Sequence, residues 1–225
     1  MKTIIFDSGT LITFTMDGLL HELRGLKKIF DGKFIITKEV KSEVIDKPLT
    51  IKIFELEGLQ IKELLDEGIL EMSSSLGIKD EDISRQTQEI LKLANSTFLS
   101  KGENIHLLDL GETSCLALSK MLTEKGIKNV IAVDERTTRM LGENPENLRK
   151  LIQGKVHSDV RTIKENLKFF ENFKFIRSAE LAYVAYKKKI INLKNGLVLD
   201  ALLYASRYHG CSISEDEIKE MKEIG

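Results

Sequence analysis

Four acidic residues are placed where predicted strands end or predicted helices begin, although they are spread over more than half of the chain. They are Asp7, Glu43, Glu112 and Asp134. Asp7 directly follows the apolar residues 4–6, and Asp134 directly follows the apolar residues 130–133. Short apolar runs of this kind are typical of buried parallel strands, which are covered on both faces and lack polar alternation. Because ligands bind outside the carboxyl ends of such strands, we expect the acids to meet in one crevice.

A shared crevice lined by carboxylates predicts a bound cation. Neighbouring carboxylates repel one another and are costly to desolvate unless positive charge lies among them. The chemistry that this pattern indicates is a divalent-metal site and, beyond it, hydrolysis of a phosphodiester. Oxygen ligands without Cys or His favour Mg²⁺ or Mn²⁺ over zinc.

Two of the acids have ordinary structural explanations that the sequence leaves open. Glu43 shares a predicted helix face with Glu39 and Asp46, and an acidic stripe of this kind is usually solvated. Glu39 is therefore the competing ligand in this segment. Glu112 follows Asp109 at the spacing of a capping-box variant, in which the Glu side chain reaches back to the start of its helix.

The acids that follow the two apolar strands raise the same question. Asp7 could start a turn, but two small hydroxyl residues follow it, Ser8 and Thr10, which can orient a bound water. Asp134 could be a helix N-cap, in which case the adjacent Glu135 becomes the ligand.

Cations close to the last acid suit a phosphodiester substrate. Arg136 and Arg139 follow Asp134 within five residues, and a guanidinium forms charge-assisted hydrogen bonds with phosphate oxygens. The predicted substrate-binding residues are therefore Ser8, Thr10, Arg136 and Arg139.

Composition bounds the class of protein. The chain has 225 residues, 42% of them hydrophobic, which is enough for a real core and predicts one large domain or a domain with a helical extension. A net charge of -1 argues against a protein that simply coats duplex DNA. Cys115 and Cys211 form no Cys-x-x-Cys pair, which excludes a zinc ribbon or a disulfide framework. The first apolar run is too short for a signal peptide and no run approaches a membrane span, so we expect a cytoplasmic protein.

The elements that position the acids alternate between strand and helix up to residue 142. Strands are predicted at 3–6, 34–36, 68–72 and 130–133, and Thr37 is predicted to cap the helix after the second strand. Further helices are predicted at 51–65, 80–99 and 112–125, with a short one after Asp134. This alternation predicts a right-handed α/β sandwich around a parallel sheet.

The remainder of the chain has a different pattern. We divide the chain into a domain at 1–143 and a mostly helical extension at 144–225 that packs on it. Helices are predicted at 146–153, 160–170, 179–189 and 196–208, with one further strand at 173–176. Ser214 and Glu217 form a capping-box pattern that opens a last helix.

Three motifs together resemble the PIN domain family of nucleases. The first is the apolar strand at residues 4–6 followed by Asp7, Ser8, Gly9-Thr10 where many members have a single Asn, and an apolar pair. The second is Leu110-Gly111-Glu112 followed by a helix rich in small and apolar residues, and the third is the strand that runs into Asp134, Glu135 and Arg136. Their order and spacing resemble the family over about residues 1–142.

The resemblance implies a three-layer α/β/α sandwich with a central parallel sheet. It also implies one or two Mg²⁺ or Mn²⁺ ions and cleavage of RNA. Asp7 would be the central ligand, completed by Asp134 or Glu135, by Glu112 and by Glu43.

Two other functions compete with a ribonuclease. A PIN-like fold that binds RNA or a protein without cutting fits the nearly neutral charge. DNA binding through the last two helices is disfavoured, because the final one is acidic. A homodimer is the default assembly. A protein partner such as an antitoxin is compatible with the resemblance, although no feature of the sequence indicates one.

Overall fold

A computed structural model of the chain describes residues 2–224. Over that range it contains eight strands and twelve α-helices. The strands are β1 (Lys2–Phe6), β2 (Lys33–Ile36), β3 (Glu71–Met72), β4 (Phe98–Ser100), β5 (Glu103–Asn104), β6 (Lys128–Ala132), β7 (Val160–Thr162) and β8 (Phe175–Ile176).

The helices lie between and after these strands. They are α1 (Ser8–Met16), α2 (Leu20–Ile29), α3 (Lys38–Lys41), α4 (Glu55–Asp66), α5 (Asp80–Asn95), α6 (Leu110–Glu124), α7 (Arg136–Glu143), α8 (Pro145–Val156), α9 (Lys164–Leu167), α10 (Ser178–Lys187), α11 (Val198–Tyr208) and α12 (Glu215–Ile224). A π-helical turn (Ser42–Asp46) continues α3, and 3-10 turns occupy Pro48–Thr50 and Ser73–Leu76. None of the helices within residues 2–224 is long and apolar enough to cross a membrane.

Five strands form one parallel sheet in the order β3-β2-β1-β6-β8. β1 lies at its centre, with Ile5 opposite Ile35 of β2 on one side and opposite Ile131 of β6 on the other. The chain first adds β2 and β3 on one side of β1 and later adds β6 and β8 on the other side. The strand order therefore reverses between β1 and β6, and the carboxyl ends of strands at such a reversal form the crevice in which open α/β sheets bind ligands.

The central strands are parallel and buried, as their unbroken apolar sequences predict. The side chains of Ile5, Phe6, Ile35 and Ile36 are at most 1% exposed. Phe6 and Phe34 pack edge to face across β1 and β2, with ring centroids 5.1 Å apart. Such pairs contribute about 0.5–1.5 kcal/mol beyond the area they bury. Both ends of this strand pair are thereby fixed, including the end that carries Asp7.

The helices contact one another in two groups. α6 packs on β1 and β6 and contacts α3 and α5, whereas α10 contacts α1, α2 and α11, and α1 and α2 also contact α4. This α/β arrangement with a central parallel sheet is consistent with a three-layer sandwich. Cys115 of α6 and Cys211 after α11 are free and buried.

The second half of the chain completes the central sheet. Phe175 and Ile176 pair in parallel with Ile131 and Ala132, so the predicted strand at 173–176 is confirmed as β8, the edge strand beyond β6. Residues after 143 thus supply a strand of the main sheet as well as the helices predicted at 146–153, 179–189 and 196–208. The capping box at Ser214 is also confirmed, since the Ser214 hydroxyl accepts a hydrogen bond from the Glu217 amide at 3.2 Å and Glu217 Oε2 accepts one from the Ser214 amide at 2.8 Å.

A small antiparallel sheet replaces two predicted helical segments. The predicted helix at 160–170 is wrong in its first part, because Val160–Thr162 pairs with β4, and only Lys164–Leu167 is helical. The predicted helix at 80–99 ends at Asn95 for the same reason, since Phe98–Ser100 is the central strand of this sheet. The β4–β5 turn contains Lys101 and Gly102, both with positive φ, as two-residue hairpin turns require. The periodicity of residues 80–99 did not reveal this change.

Candidate active site

Asp7 occupies the carboxyl end of the central strand and also begins a helix. Its amide donates to the carbonyl of Ala132 at 2.9 Å, which extends the β1–β6 pairing to this residue. One carboxylate oxygen, Oδ2, accepts a hydrogen bond from the Gly9 amide at 3.2 Å and so caps α1. The other oxygen, Oδ1, is buried and has no hydrogen-bond partner in the described part of the chain. A capping role therefore accounts for only one of the two oxygens of this carboxylate.

The surroundings of Asp7 oppose its ionisation. Burial and, next, the negative charge of Glu112 raise the pKa of Asp7 from 3.8 to about 8. Backbone donors at Gly9 and Ser8 act in the opposite direction, and the charge of Glu43 adds a further increase. Asp7 is thus largely protonated at neutral pH when no cation is near, although it lies among groups that a cation would stabilise.

Glu43 lies against the first turn of α6, in space left by a glycine. A Cβ atom built on Gly111 would come within 2.5 Å of Glu43 Oε2 and 2.9 Å of Oε1. Glu39, the competing residue, instead accepts a hydrogen bond from the Ser84 hydroxyl of α5 at 2.9 Å. The structure thus separates two acids that the helical spacing placed on one face, and the one beside Asp7 and Glu112 is Glu43.

Glu112 both caps its helix and takes part in the acidic group. Its Oε2 accepts a hydrogen bond from the Asp109 amide at 2.8 Å, as the capping-box variant predicts. Burial, followed by the charges of Glu135, Asp109 and Glu43, raises the pKa of Glu112 from 4.5 to about 7 despite that hydrogen bond. Glu112 is therefore the acid that links Asp7 and Glu43 to Glu135.

Asp134 and Glu135 accept hydrogen bonds from different helices. Asp134 Oδ1 accepts a hydrogen bond from the amide of Ser178, the first residue of α10, at 2.7 Å, and Oδ2 is buried without a partner within residues 2–224. The charge of Asp134 acts on the thiol of Cys211, whose pKa is raised to about 12 first by burial and then by this carboxylate. Glu135, not Asp134, caps α7, through Oε2 and the Thr138 amide at 2.8 Å. Of this pair, Glu135 lies on the side of Glu112, and Asp134 joins the strand end to the second half of the chain.

These acids do not form a ready-made metal site. Among the described residues, no three Asp, Glu, His or Cys side chains are grouped closely enough to hold an ion. Four of the carboxylates instead accept hydrogen bonds from backbone amides: Asp7 from that of Gly9, Glu112 from that of Asp109, Glu135 from that of Thr138, and Asp134 from that of Ser178. The oxygen donors nevertheless suit Mg²⁺ or Mn²⁺, and the unpartnered Oδ1 of Asp7 is a buried acceptor that a cation would satisfy.

The predicted substrate-binding residues are divided between the crevice and other contacts. Ser8 is half-buried beside Asp7, and the buried hydroxyl of Thr10 lacks a hydrogen-bond partner among residues 2–224. Arg136 is exposed and lines a cavity of about 240 Å³ together with His106, Glu135 and Lys155.

Arg139 lies against the second half of the chain. It donates to the Ser212 carbonyl at 2.9 Å and lies 3.8 Å from Glu143. Of the two predicted arginines, Arg136 is therefore the one open to a ligand.

A second, larger cavity of about 430 Å³ opens next to Glu43. It lies between α1, the π-helical turn and α4, and its apolar lining includes Ile12, Met16, Ile51, Phe54 and Ile61. Glu43, Lys47 and Glu57 supply its charged groups. Sequence reasoning missed this cavity, because its lining comes from three elements that only the fold brings together.

Comparison of the chain with protein-family models, with curated proteins and with solved structures gave no match.

Proposed function

We propose that this protein is a metal-dependent ribonuclease. The observation that carries the proposal is Asp7, a buried carboxylate at the strand-order reversal, with one oxygen unpartnered among the described residues and with a pKa raised by Glu112 and Glu43 as well as by burial. Perturbed carboxyls in a crevice are typical of functional sites. An acid needed only as a helix cap would lie in a better-solvated position with an ordinary pKa.

Asp7, Glu43, Glu112 and either Glu135 or Asp134 would hold one or two Mg²⁺ or Mn²⁺ ions. When bound, such an ion supplies positive charge that acidifies water and offsets charge on the phosphoryl oxygens. Asp7 is the central member because its free oxygen is already buried. Glu43 and Glu112 come from separate elements, so together they define the position of an ion relative to β1.

The chain's own groups favour a phosphate at this place. Asp7 caps α1, Glu112 lies in the first turn of α6 and Glu135 caps α7, so three helix N-termini face the same end of the sheet. Helix N-termini carry partial positive charge and amide donors that bind anions. Arg136, exposed at the start of α7, adds a full positive charge at the edge of the crevice.

Cleavage of a 5′-labelled structured RNA in Mn²⁺, Mg²⁺ or EDTA tests this function. We expect cutting with either ion, none in EDTA, and a loss of at least a hundredfold in Asp7→Asn. Asp31→Asn is the matched control, because Asp31 is an exposed Asp that precedes β2 and so lies at the opposite end of the parallel sheet. Equal cutting by wild type and Asp7→Asn would overturn the assignment.

The alternative is a PIN-like module that binds RNA or a protein without cutting. It is favoured by the hydrogen bonds that occupy Glu112, Glu135 and Asp134 in helix caps. It predicts that wild type retains RNA in a gel shift in EDTA and that Mn²⁺ causes neither cleavage nor a change in melting temperature.

A further inference from the structure

The cavity beside Glu43 contains a charged group that its surroundings do not explain. Glu57 lines this largely apolar space in the first turn of α4, and its Oε2 is buried without a hydrogen-bond partner in the described residues. An unpaired buried acceptor is unfavourable, and each one calls for a missing donor. A donor supplied by a ligand would remove this cost.

The size and lining of the cavity suit a small, mostly apolar ligand. Its volume of about 430 Å³ lies within the range of small-molecule sites. Phe54 on one wall is 49% exposed, and Met16 on another is 52% exposed. An exposed aromatic ring beside an apolar slot is the arrangement on which single-stranded nucleic acids stack their bases.

The position of the cavity connects it to the proposed active site. Glu43 contributes both to the acidic group beside Asp7 and to the cavity wall. A base in the cavity would therefore belong to a nucleotide close to the phosphate at the acids. Lys47 is exposed at the rim of the cavity, where it can contact the phosphate backbone of the same RNA molecule.

We propose that this cavity binds one unstacked base of a single-stranded RNA substrate and that Glu57 makes it selective for guanine. The Watson–Crick edge of guanine presents two adjacent N–H donors, which match the two oxygens of a carboxylate. Adenine and cytosine offer only an amino group, and uracil places two carbonyl oxygens around its single N–H donor. The expected preference is guanine first, adenine and cytosine next, and uracil last. This proposal rests on the ribonuclease proposed above.

A protein segment is the competing occupant of this apolar face, which also includes the exposed Ile53 and Leu56. The cavity favours a base for two reasons. A carboxylate oxygen lies buried inside it, where an apolar side chain from a partner would leave that oxygen unpaired. The cavity also shares Glu43 with the acids, which a protein-docking surface does not require.

The test uses twelve-nucleotide oligouridylates that carry one central G, A or C, or no substitution. Cleavage by the full chain in Mn²⁺ is compared as kcat/KM, and the position of the cut is mapped. We expect the G-containing oligonucleotide to be cut at least about tenfold faster than oligouridylate, since a good bidentate pair gives discrimination of this order. The cut should fall at a fixed distance from the G.

Two variants and two matched controls locate the effect. Glu57→Gln should reduce the G-to-U ratio at least about tenfold, whereas Phe54→Ala should lower kcat/KM for all four oligonucleotides, because an aromatic ring stacks on every base. Glu55→Gln changes the other acid in the first turn of α4, which pairs with Lys52 outside the cavity, and Leu56→Ala removes an exposed apolar side chain that does not line it. Both controls should keep the wild-type ratio and the wild-type kcat/KM. A ratio unchanged in Glu57→Gln, or a kcat/KM unchanged in Phe54→Ala, would overturn the proposal while leaving the ribonuclease intact.

A binding measurement distinguishes failure of the proposed base pocket from failure of the proposed ribonuclease. If wild type cuts none of the oligonucleotides, the proposed ribonuclease fails, and fluorescence anisotropy of labelled oligonucleotides with Asp7→Asn then decides the pocket alone. Tighter binding of the G-containing strand, lost on adding Glu57→Gln, would support the pocket. Equal binding of all four would overturn it. A wild-type dimer in light scattering that Phe54→Ala converts to a monomer, with oligonucleotide binding unchanged, would assign this face to a second copy of the chain and also overturn it.

Discussion

The carboxylate of Glu43 lies in the space that a side chain at Gly111 would occupy, since a Cβ atom there would come within 2.5 Å of Glu43 Oε2. These two residues are 68 positions apart, on the π-helical turn after α3 and in the first turn of α6. Gly111 therefore has a spatial reason to be glycine, because its missing side chain lets an acid approach the start of α6.

Gly111→Ala should disturb the acidic group without weakening the fold. The clash falls on the end of a flexible side chain, so Glu43 is displaced at little cost, while alanine favours the helix by up to about 1 kcal/mol. We expect an unchanged or higher melting temperature in EDTA and a clear loss of Mn²⁺-induced stabilisation. Gly154→Ala in α8 is the control, because a Cβ atom there meets nothing within 4 Å. A full Mn²⁺ response in Gly111→Ala would show that the position of Glu43 is irrelevant to the ion.

Asp7 should make the metal-free protein less stable as the pH rises. Its pKa is about 8 in the folded chain and 3.8 in the reference state, so between these values the unfolded chain is ionised while the folded chain keeps its proton. The folded state binds more protons, and its free energy of unfolding therefore falls with pH in this window, by at most about 1.4 kcal/mol per pH unit from this group.

Asp7→Asn removes this titration. In EDTA we expect its unfolding free energy, measured by urea denaturation, to be higher than that of wild type at pH 8 and similar at pH 4. Asp31→Asn, at an exposed position, should follow the wild-type curve. Parallel curves for wild type and Asp7→Asn between pH 4 and 8 would contradict the raised pKa.

Glu43 and Glu39 should respond differently to the same substitution. Both are half-buried glutamates four residues apart, but only Glu43 contributes charge to Asp7 and Glu112, whereas Glu39 accepts from Ser84. Glu43→Gln should weaken Mn²⁺ binding in calorimetry by tenfold or more, and Glu39→Gln should leave it within about twofold, because an amide still accepts the Ser84 hydrogen bond. The reverse result would make Glu39 the ligand.

Arg177 should be the most sensitive link between the active-site end of the sheet and the last helices. The residue is 8% exposed, and its guanidinium contacts Glu180 and Glu217 and donates to the Ser212 carbonyl. Burial lowers the pKa of Arg177, but these partners outweigh burial and raise it overall. Arg177→Leu removes these contacts but leaves Glu180 and Glu217, which are 31% and 42% exposed, open to water, so it should cost about 2 kcal/mol in urea denaturation.

Arg149→Leu is the matched control, because Arg149 also pairs with a glutamate three residues away, at the surface of α8. Its effect on stability should be small. Comparable losses in the two variants would show that burial of Arg177 does not strengthen its contacts.

The sequence by itself determined the parallel core and the place of Asp7. Unbroken apolar runs at residues 4–6, 34–36 and 130–133 can be covered on both faces only in the middle of a parallel sheet, and an acid after such a run must lie at its carboxyl end. The caps at Thr37 and Ser214 were equally local, since a side-chain oxygen binds an amide two or three residues away.

Tertiary structure decided which acids meet and what else surrounds them. Glu43 and Glu39 are equivalent by helical spacing and differ only through Gly111 and Ser84, which lie far along the chain. Asp134 accepts a hydrogen bond from the Ser178 amide because β8 and α10 pack beside β6. The two residues are 44 positions apart, and no local pattern specifies this contact. The cavity beside Glu43 likewise exists only where three elements meet. Its size and lining depend on the packing of distant segments and not on local propensity.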